Sequence, residues 1–504
     1  MLPLLLLVAL SVAYRLPALL NAGAVDSDAA IVGLQAMHIL HGEWSPLLFG
    51  SGYQTSVDSS LAALFFLVLG PSPLALMLST FVGHLVLLGF AYATLRRHLE
   101  GRLAALAVLP LVFTPSPLHT YILGPPRQAA LTLVFASVWM LDGASLHRRP
   151  RLAYAGGAAL ASLACYADPY ALVFAPALAL LAAFACLDGG QPPSAVRSRA
   201  GACLLGGILG LVPLVLLFTR PDAVHGEAGL RAGLLSHNAR LLIDPALPWI
   251  LSARAYFSGG GSTYGPWHAP WPVRALQITG AVVFLAAILS GAWAFFARRL
   301  PWELRRLGLV GASVLPLTVT GFLCSVMVMD LFSTRYLAAI VLASPLAVAP
   351  LASRLGARRF GFLLLPYVVS AALAGWLGFG PFVRGPCPVV TRSGRAVDEQ
   401  LARDELARRG VRFAVADYWV AYRVTFVTRE DLIVVPIHAS QDRYRPYRDG
   451  FDAAPRVAYL FDPERSNESF PVPEVELAGA GPKLIERERL RVGGLTAIVY
   501  DRSD

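Results

Sequence analysis

Apolar positions in this chain do not alternate with polar ones. They run together, near residues 2–20, 72–95, 103–115, 126–142, 152–166, 169–187, 201–219, 273–297, 307–329, 336–352 and 360–380. At about 1.5 Å of rise per residue, a helix of 20 such residues crosses a hydrocarbon core of roughly 30 Å. A helix is the natural form there, because a lone segment in lipid must satisfy its own backbone groups. The pattern predicts a polytopic α-helical membrane protein with about eleven spans.

After residue 381 the pattern changes. "AVDEQLARDELARRG" reads as a charged amphipathic helix stopped at Gly410. "VRFAVA", "LIVVPI", "RVAYLF" and "LTAIVY" are short β-rich runs. "DYWVAYRVTF" and "RYRPYRDGFDAA" fill the gaps as helices. This predicts a membrane domain over 1–381 and a small C-terminal α/β domain over 382–504.

Composition sharpens the class. The 504 residues are 56% hydrophobic and 15% charged, which excludes a soluble enzyme of this length. The net charge of +10 suggests nucleic acid until it is located. Residues 382–504 hold 19 basic and 19 acidic side chains, so the whole excess belongs to residues 1–381. A nucleic-acid footprint clusters on a soluble face, so that partner is set aside. The excess lies in short loops: "RRHLEGR", "HRRPR", "VRSR", "ARRLPWELRR" and "SRLGARR" contain 15 arginines, whereas residues 21–58 contain no Lys or Arg. The positive-inside rule then puts the N-terminus in the cytoplasm of a cell with an inner (plasma) membrane. Residues 21–58, 220–272 and the C-terminal domain fall outside. Ala22-Gly-Ala24 looks like a signal cleavage site, but the n-region has no basic side chain and Arg15 interrupts the run. The five cysteines, including Cys387, form no CxxC pattern. Asn467-Glu-Ser469 matches a glycosylation sequon.

Two carboxylates, Asp26 and Asp28, stand where the first apolar run ends. Behind them "AAIVGLQAMHILHG" has helical periodicity, which suits an interfacial helix capped by an acid. Capping is one role for these carboxylates; acting as a base is the other.

The stretch "SDAAIVGLQAMHILHGEWSPLLFGSGYQTSVDSSLAALFFLVLGPSPLAL" resembles the first outer loop of bacterial GT-C membrane glycosyltransferases. These use polyprenyl-phosphate-linked sugars and are related to the protein O-mannosyltransferase and lipid A aminoarabinose transferase group. Ser27-Asp28-Ala29-Ala30 aligns with the family's Asp-Glu-Ala motif, and Gly42-Glu43 and Pro46 follow it. Gly50, Tyr53, Ser56 and Asp58 fall on a "GxxYxGSLEA" pattern. Ala29 replaces the family's second acid and Thr55 a glycine, so Asp26 is the available substitute for a second carboxylate. "CYADPYALVF", "STRYLAAIVLASPLA" and the tail's "DYWVAYRVTF" with "RYRPYRDGF" continue the likeness in patches along the chain.

The resemblance implies transfer of a sugar from a polyprenyl-phosphate donor to a lipid-, glycan- or protein-linked acceptor at the outer face. An acceptor hydroxyl needs a base as the anomeric bond lengthens, a carboxylate's task. The departing lipid phosphate needs cations, and arginine's fork matches its oxygens. Asp28 is the expected base, with Asp26 beside it. Expected substrate-binding residues are Tyr53, Asp58, Arg127, Asp168, Arg335 and Tyr336. Arg127 and Arg335 can instead be interface anchors, Asp168 a plain Asp-Pro turn, and Asp330 a neutraliser of Arg335. His38 and His41 make no metal spacing with another His or Cys, and His84 inside a span suits an interhelical hydrogen bond. A divalent metal is left open, and no other cofactor is indicated. A transporter or flippase of lipid-linked saccharides is the alternative. It predicts ionisable groups at mid-span on several helices. A non-catalytic scaffold predicts no need for Asp28 or Arg335.

Overall fold

The computed structural model describes residues 2–20, 22, 25–187, 192–219, 229, 231–258, 264–379, 394–462 and 484–502. The expected boundary at 381/382, Cys387, the sequon at Asn467 and parts of the 220–272 segment lie outside these residues.

The first part of the chain is helical. Its elements are α1 (Leu2–Leu20), α2 (Ser27–Leu40), α3 (Val57–Leu69), α4 (Pro73–Arg96), α5 (Gly101–Val112), α6 (His119–Ile122), α7 (Gln128–Asp142), α8 (Pro150–Ala167) and α9 (Ala175–Leu187). There follow α10 (Pro193–Phe218), α11 (Leu235–Leu241), α12 (Leu247–Ile250), the hairpin β1 (Tyr256–Ser258) and β2 (Tyr264–Pro266), α13 (Trp271–Ala294), α14 (Trp302–Cys324) and α15 (Ala338–Leu377). All eleven apolar stretches fall on helical segments, the last two on the halves of α15, which breaks at Gly356. By length and hydropathy, six stretches among the described residues suffice to cross a membrane; α5 with the turn to Ile122, bent by 82°, makes a seventh. The apolar helices α3, α7 and α9 are shorter, so the expected eleven are matched as helices rather than as full crossings.

The bend after α5 frees carbonyls at its C-terminal end, and two buried side chains meet them. Arg15 of α1, fully buried, donates to the Val112 carbonyl at 3.0 Å and to Thr114 Oγ1 at 3.2 Å. His84 of α4 bonds the Leu111 carbonyl at 3.0 Å, the interhelical role its sequence position suggests. A cation at a helix C-terminus is favoured by the helix dipole. At the other end of the bundle, the buried Asp142 carboxylate gathers His98 at 2.8 Å, Arg97 at 3.4 Å and Arg306 at 3.1 Å. That knot ties the ends of α4, α7 and α14 together.

The C-terminal domain contains α16 (Gly394–Ala407), β3 (Phe413–Ala416), α17 (Tyr418–Val427), β4 (Ile433–Pro436), α18 (Arg445–Ala453), β5 (Arg456–Phe461), β6 (Leu484–Val492) and β7 (Leu495–Arg502). Its sheet has the order β4-β3-β5-β7-β6, with β4, β3 and β5 parallel and β7 antiparallel to both neighbours. The four β-rich runs are strands, as expected. The fifth strand, β6, was not: "LIERERLRV" is an almost wholly exposed edge and carries no apolar signal.

One sheet face, with Val434, Ala458, Leu460 and Val499, packs on Leu406 of α16. The other, with Val415, Val435, Tyr459 and Ile498, shares a single core with Ala30, Ile31 and Leu34 of α2 and Ala62 and Phe66 of α3. Helix α2 is therefore not the interfacial helix its periodicity suggests. Ten of its 14 residues are buried, and it lies between α3 and α17. The reason is composition, since a helix apolar on every side has no face to give to water.

Candidate active site between the helix ends and the C-terminal domain

The two opening carboxylates divide their tasks. Asp26 is the exposed N-cap of α2, accepting from the Ala29 amide at 2.8 Å. Asp28 sits two residues inside the helix and accepts from the Tyr418 hydroxyl at 2.7 Å. Capping thus falls to Asp26, and Asp28 faces the C-terminal domain.

Asp58, at the start of α3, is buried. It accepts from the Arg127 amide at 2.9 Å and the Ala129 amide at 3.1 Å, which caps α7 from a distant segment. That cap holds Arg127 at a φ of +102°, a costly conformation for a residue with a side chain. The Arg127 guanidinium is consequently turned inward. Its Nε lies 3.3 Å from Asp168, and its Nη1 donates to the Tyr121 hydroxyl at 3.0 Å. The rings of Tyr121, Tyr170 and Tyr336 surround it at 5.3–5.8 Å. With 9% exposure it is no interface anchor.

Asp168 combines the turn with the ion pair. One oxygen caps the turn after α8 through the Tyr170 amide at 2.8 Å, and the other faces Arg127 and the Gln54 amide at 3.4 Å. Tyr170 then ties this turn to the start of α15, donating to the Tyr336 carbonyl at 3.1 Å and accepting from the Ala339 amide at 2.9 Å. That link brings Tyr336 and Arg335 to Arg127. Asp330 forms a capping box with Ser333 instead of neutralising Arg335. Arg335 hydrogen-bonds Tyr336, its Nε is buried without a hydrogen-bond partner, and no carboxylate pairs with it among the described residues.

Tyr53 lies within electrostatic range of Arg127, Asp168, Tyr336 and Arg443; burial, first of all, pushes its hydroxyl up to about 12. Arg443 in turn reaches Tyr418 and Asp28. Burial likewise raises the Tyr418 hydroxyl, and the Asp28 carboxylate adds to it. The expected residues therefore converge from the first loop, the start of α7, the end of α8 and the start of α15. The sequence reading missed Tyr121, Tyr170, Tyr418 and Arg443. The last two lie in the tail patches dense in Tyr and Arg, but nothing in a linear sequence says which of those faces the bundle.

The histidine of α2 serves docking, whereas His41 is the exposed C-cap of that helix. His38 bonds Glu43 through Nδ1 at 2.5 Å and Glu430 through Nε2 at 2.8 Å, with Tyr447 also on Glu430 and Tyr444 on Glu43. No group of three or more His, Cys, Asp or Glu converges as a metal site among the described residues.

No family model and no curated protein matches the chain. Among solved structures, ArnT from Cupriavidus metallidurans bound to undecaprenyl phosphate aligns with a TM-score of 0.58, at 14% identity, over 98% of this chain and 97% of that one. The same protein in the apo state gives 0.47 at 12% identity, covering 98% of this chain and 97% of that one. The oligosaccharyltransferase of Archaeoglobus fulgidus gives 0.46 at 13% identity, covering 90% of this chain and 69% of that one. The first likeness spans both chains nearly end to end, and with the arrangement above it shows that this chain has the GT-C membrane fold with a small C-terminal sheet domain.

Proposed function

We propose that the protein is a membrane glycosyltransferase that moves a sugar from a polyprenyl-phosphate-linked donor to an acceptor at the outer membrane face. The observation that carries this reading is the pair of Arg127, buried, and Arg335, half-buried, at one end of the bundle, with Tyr53 between Arg127 and Arg443, and Arg443 in turn on the Asp28 side. Arg335 has no carboxylate of its own among the described residues and is suited to a lipid phosphate, whose oxygens its fork matches. Arg127 is already paired to Asp168 and sets the tyrosine frame around that position. The apolar helices keep the donor's chain in lipid while its head group reaches their ends. ArnT, solved with undecaprenyl phosphate bound, shares the fold that makes this arrangement possible.

In this reading the acceptor hydroxyl gives its proton to Asp28 as its oxygen attacks the anomeric carbon. The bond from that carbon to the phosphate oxygen breaks, and the polyprenyl phosphate leaves with the electron pair, stabilised by Arg335 and Arg127. Attack opposite the leaving group inverts the anomeric centre. The arginine-rich loops lie at the other end of the helices, and under the positive-inside rule that supports an outer-face site.

The test is a panel of radiolabelled polyprenyl-phosphate sugars offered to purified protein in detergent. Asp28→Asn keeps shape and removes basicity, so turnover should fall about 10²- to 10⁴-fold, or roughly 3–5 kcal/mol of barrier. Near wild-type transfer by that variant removes Asp28 from the mechanism. Asp26→Asn should cost far less, since an asparagine still caps a helix.

A further inference from the structure

We infer that the C-terminal domain is a working part of this site: Tyr418 and Arg443 position Asp28, whose productive orientation exists only while the domain is docked. This rests on Asp28 being the base.

The contacts are specific to the first turn of α2. Ser27 Oγ donates to the Tyr418 carbonyl at 2.6 Å, and the Tyr418 hydroxyl donates to Asp28 Oδ1 at 2.7 Å. Two successive residues of α2 are thus fixed by one residue of the domain. Tyr418 cannot slide, because it opens α17 directly after its cap, Asp417, which accepts from the Trp419 amide at 2.9 Å. A carboxylate near a helix N-terminus otherwise turns between rotamers. A hydroxyl on one oxygen fixes the plane and leaves the other oxygen for an acceptor's proton.

Arg443 holds Tyr418 in place. Its guanidinium lies 5.7 Å from the Tyr418 ring centre, hydrogen-bonds that residue, and donates to the Gly50 carbonyl at 2.8 Å. Its amide donates to the Tyr422 hydroxyl at 2.5 Å. The preceding residue, Asp442, is gripped by both sides of the Arg448 fork at 2.9 and 2.8 Å. The approach is close enough to dictate the first loop as well. A Cβ at Gly50 would stand 2.4 Å from Arg443 Cα, which only glycine avoids. A Cβ at Gly33 would stand 2.5 Å from the Phe426 ring, so α2 and α17 meet at a glycine too.

The experiment uses full-length protein and the donor that supports wild-type transfer, with Tyr418→Phe, Arg443→Gln and Arg443→Lys beside Asp28→Asn. Both Tyr418→Phe and Arg443→Gln should lower kcat about 10- to 100-fold, the usual cost of a misplaced catalytic group. Donor KM should stay within about twofold, because the phosphate contacts are untouched. Arg443→Lys should recover part of the loss. A second readout, carbodiimide labelling of Asp28, should speed up in Tyr418→Phe independently of turnover. Unchanged kcat and labelling in the tail variants, with Asp28→Asn inactive, overturns this inference and spares the base. Full activity in Asp28→Asn overturns the base and this inference with it.

Discussion

Replacing Asp168 by asparagine tests the frame around Arg127. The carboxylate is 2% exposed and lies 3.3 Å from a guanidinium that is itself 9% exposed. Removing one partner of such a pair leaves a buried charge uncompensated, which typically costs about 3–5 kcal/mol. Two features reduce the loss. Asparagine still caps the turn through the Tyr170 amide, worth about 1 kcal/mol. The three tyrosine rings and the Tyr121 hydroxyl also stay on Arg127, each ring contributing about 0.5–1 kcal/mol or more when desolvated. The expected loss is therefore near the low end, about 3 kcal/mol, or roughly 150-fold in the unfolding equilibrium. Unfolding in mixed micelles, followed for wild type, Asp168→Asn, Arg127→Met and the double variant, reads it directly. The double should cost less than the two singles together by about 1–3 kcal/mol. Additive losses, or an Asp168→Asn variant within about 0.5 kcal/mol of wild type, would refute the pairing argument.

Docking of the C-terminal domain on α2 should depend on pH through His38. Burial opposes its charge, but bonds to Glu430 and Glu43 outweigh it and raise its pKa above the ordinary 6.5. The two glutamates shift below 4.5: bonds to Tyr444 and His38 lower Glu43, and bonds to His38 and Tyr447 overcome burial at Glu430. The histidine's contribution is complete below pH 6.5 and fades as pH rises through its raised value. That of the glutamates is complete above pH 4.5 and fades as pH falls through their lowered values. Hydrogen-exchange protection in α17, relative to the intrinsic rate at each pH, should be highest between about pH 4.5 and 6.5 and lower at pH 8.5; a His38→Phe variant that keeps the full contrast in protection would count against this. A reporter fused after Gly380 should sit outside and one fused after Arg306 inside, and a cytoplasmic tail would sink the outer-face chemistry.

The sequence made the bundle legible because hydrophobic runs need no partner to be recognised. The turns that hold Asp28, Arg127, Asp168 and Arg335 were marked by a charge or a proline at the end of such a run. What stayed hidden depended on packing between distant segments. The resemblance puts Asp58 among the substrate-binding residues, yet its carboxylate caps a helix some seventy residues on. His38 reads as a histidine without metal spacing on a surface helix, yet it anchors the domain. Strand β6 is held by its neighbour's backbone, so its charged side chains disguised it.

The contact between Asp28 and Tyr418 joins residues 390 positions apart. At a synthesis rate of about 10 residues per second, the partner emerges on the order of 40 seconds after the carboxylate. Until then α2 has one side of its core uncovered, and the candidate base lacks the Tyr418 donor. A ribosome that stalls after α15 and before residue 418 releases a chain with the apolar helices of the bundle but without Tyr418. The sheet domain, made after the bundle, is thus the part that closes the first loop.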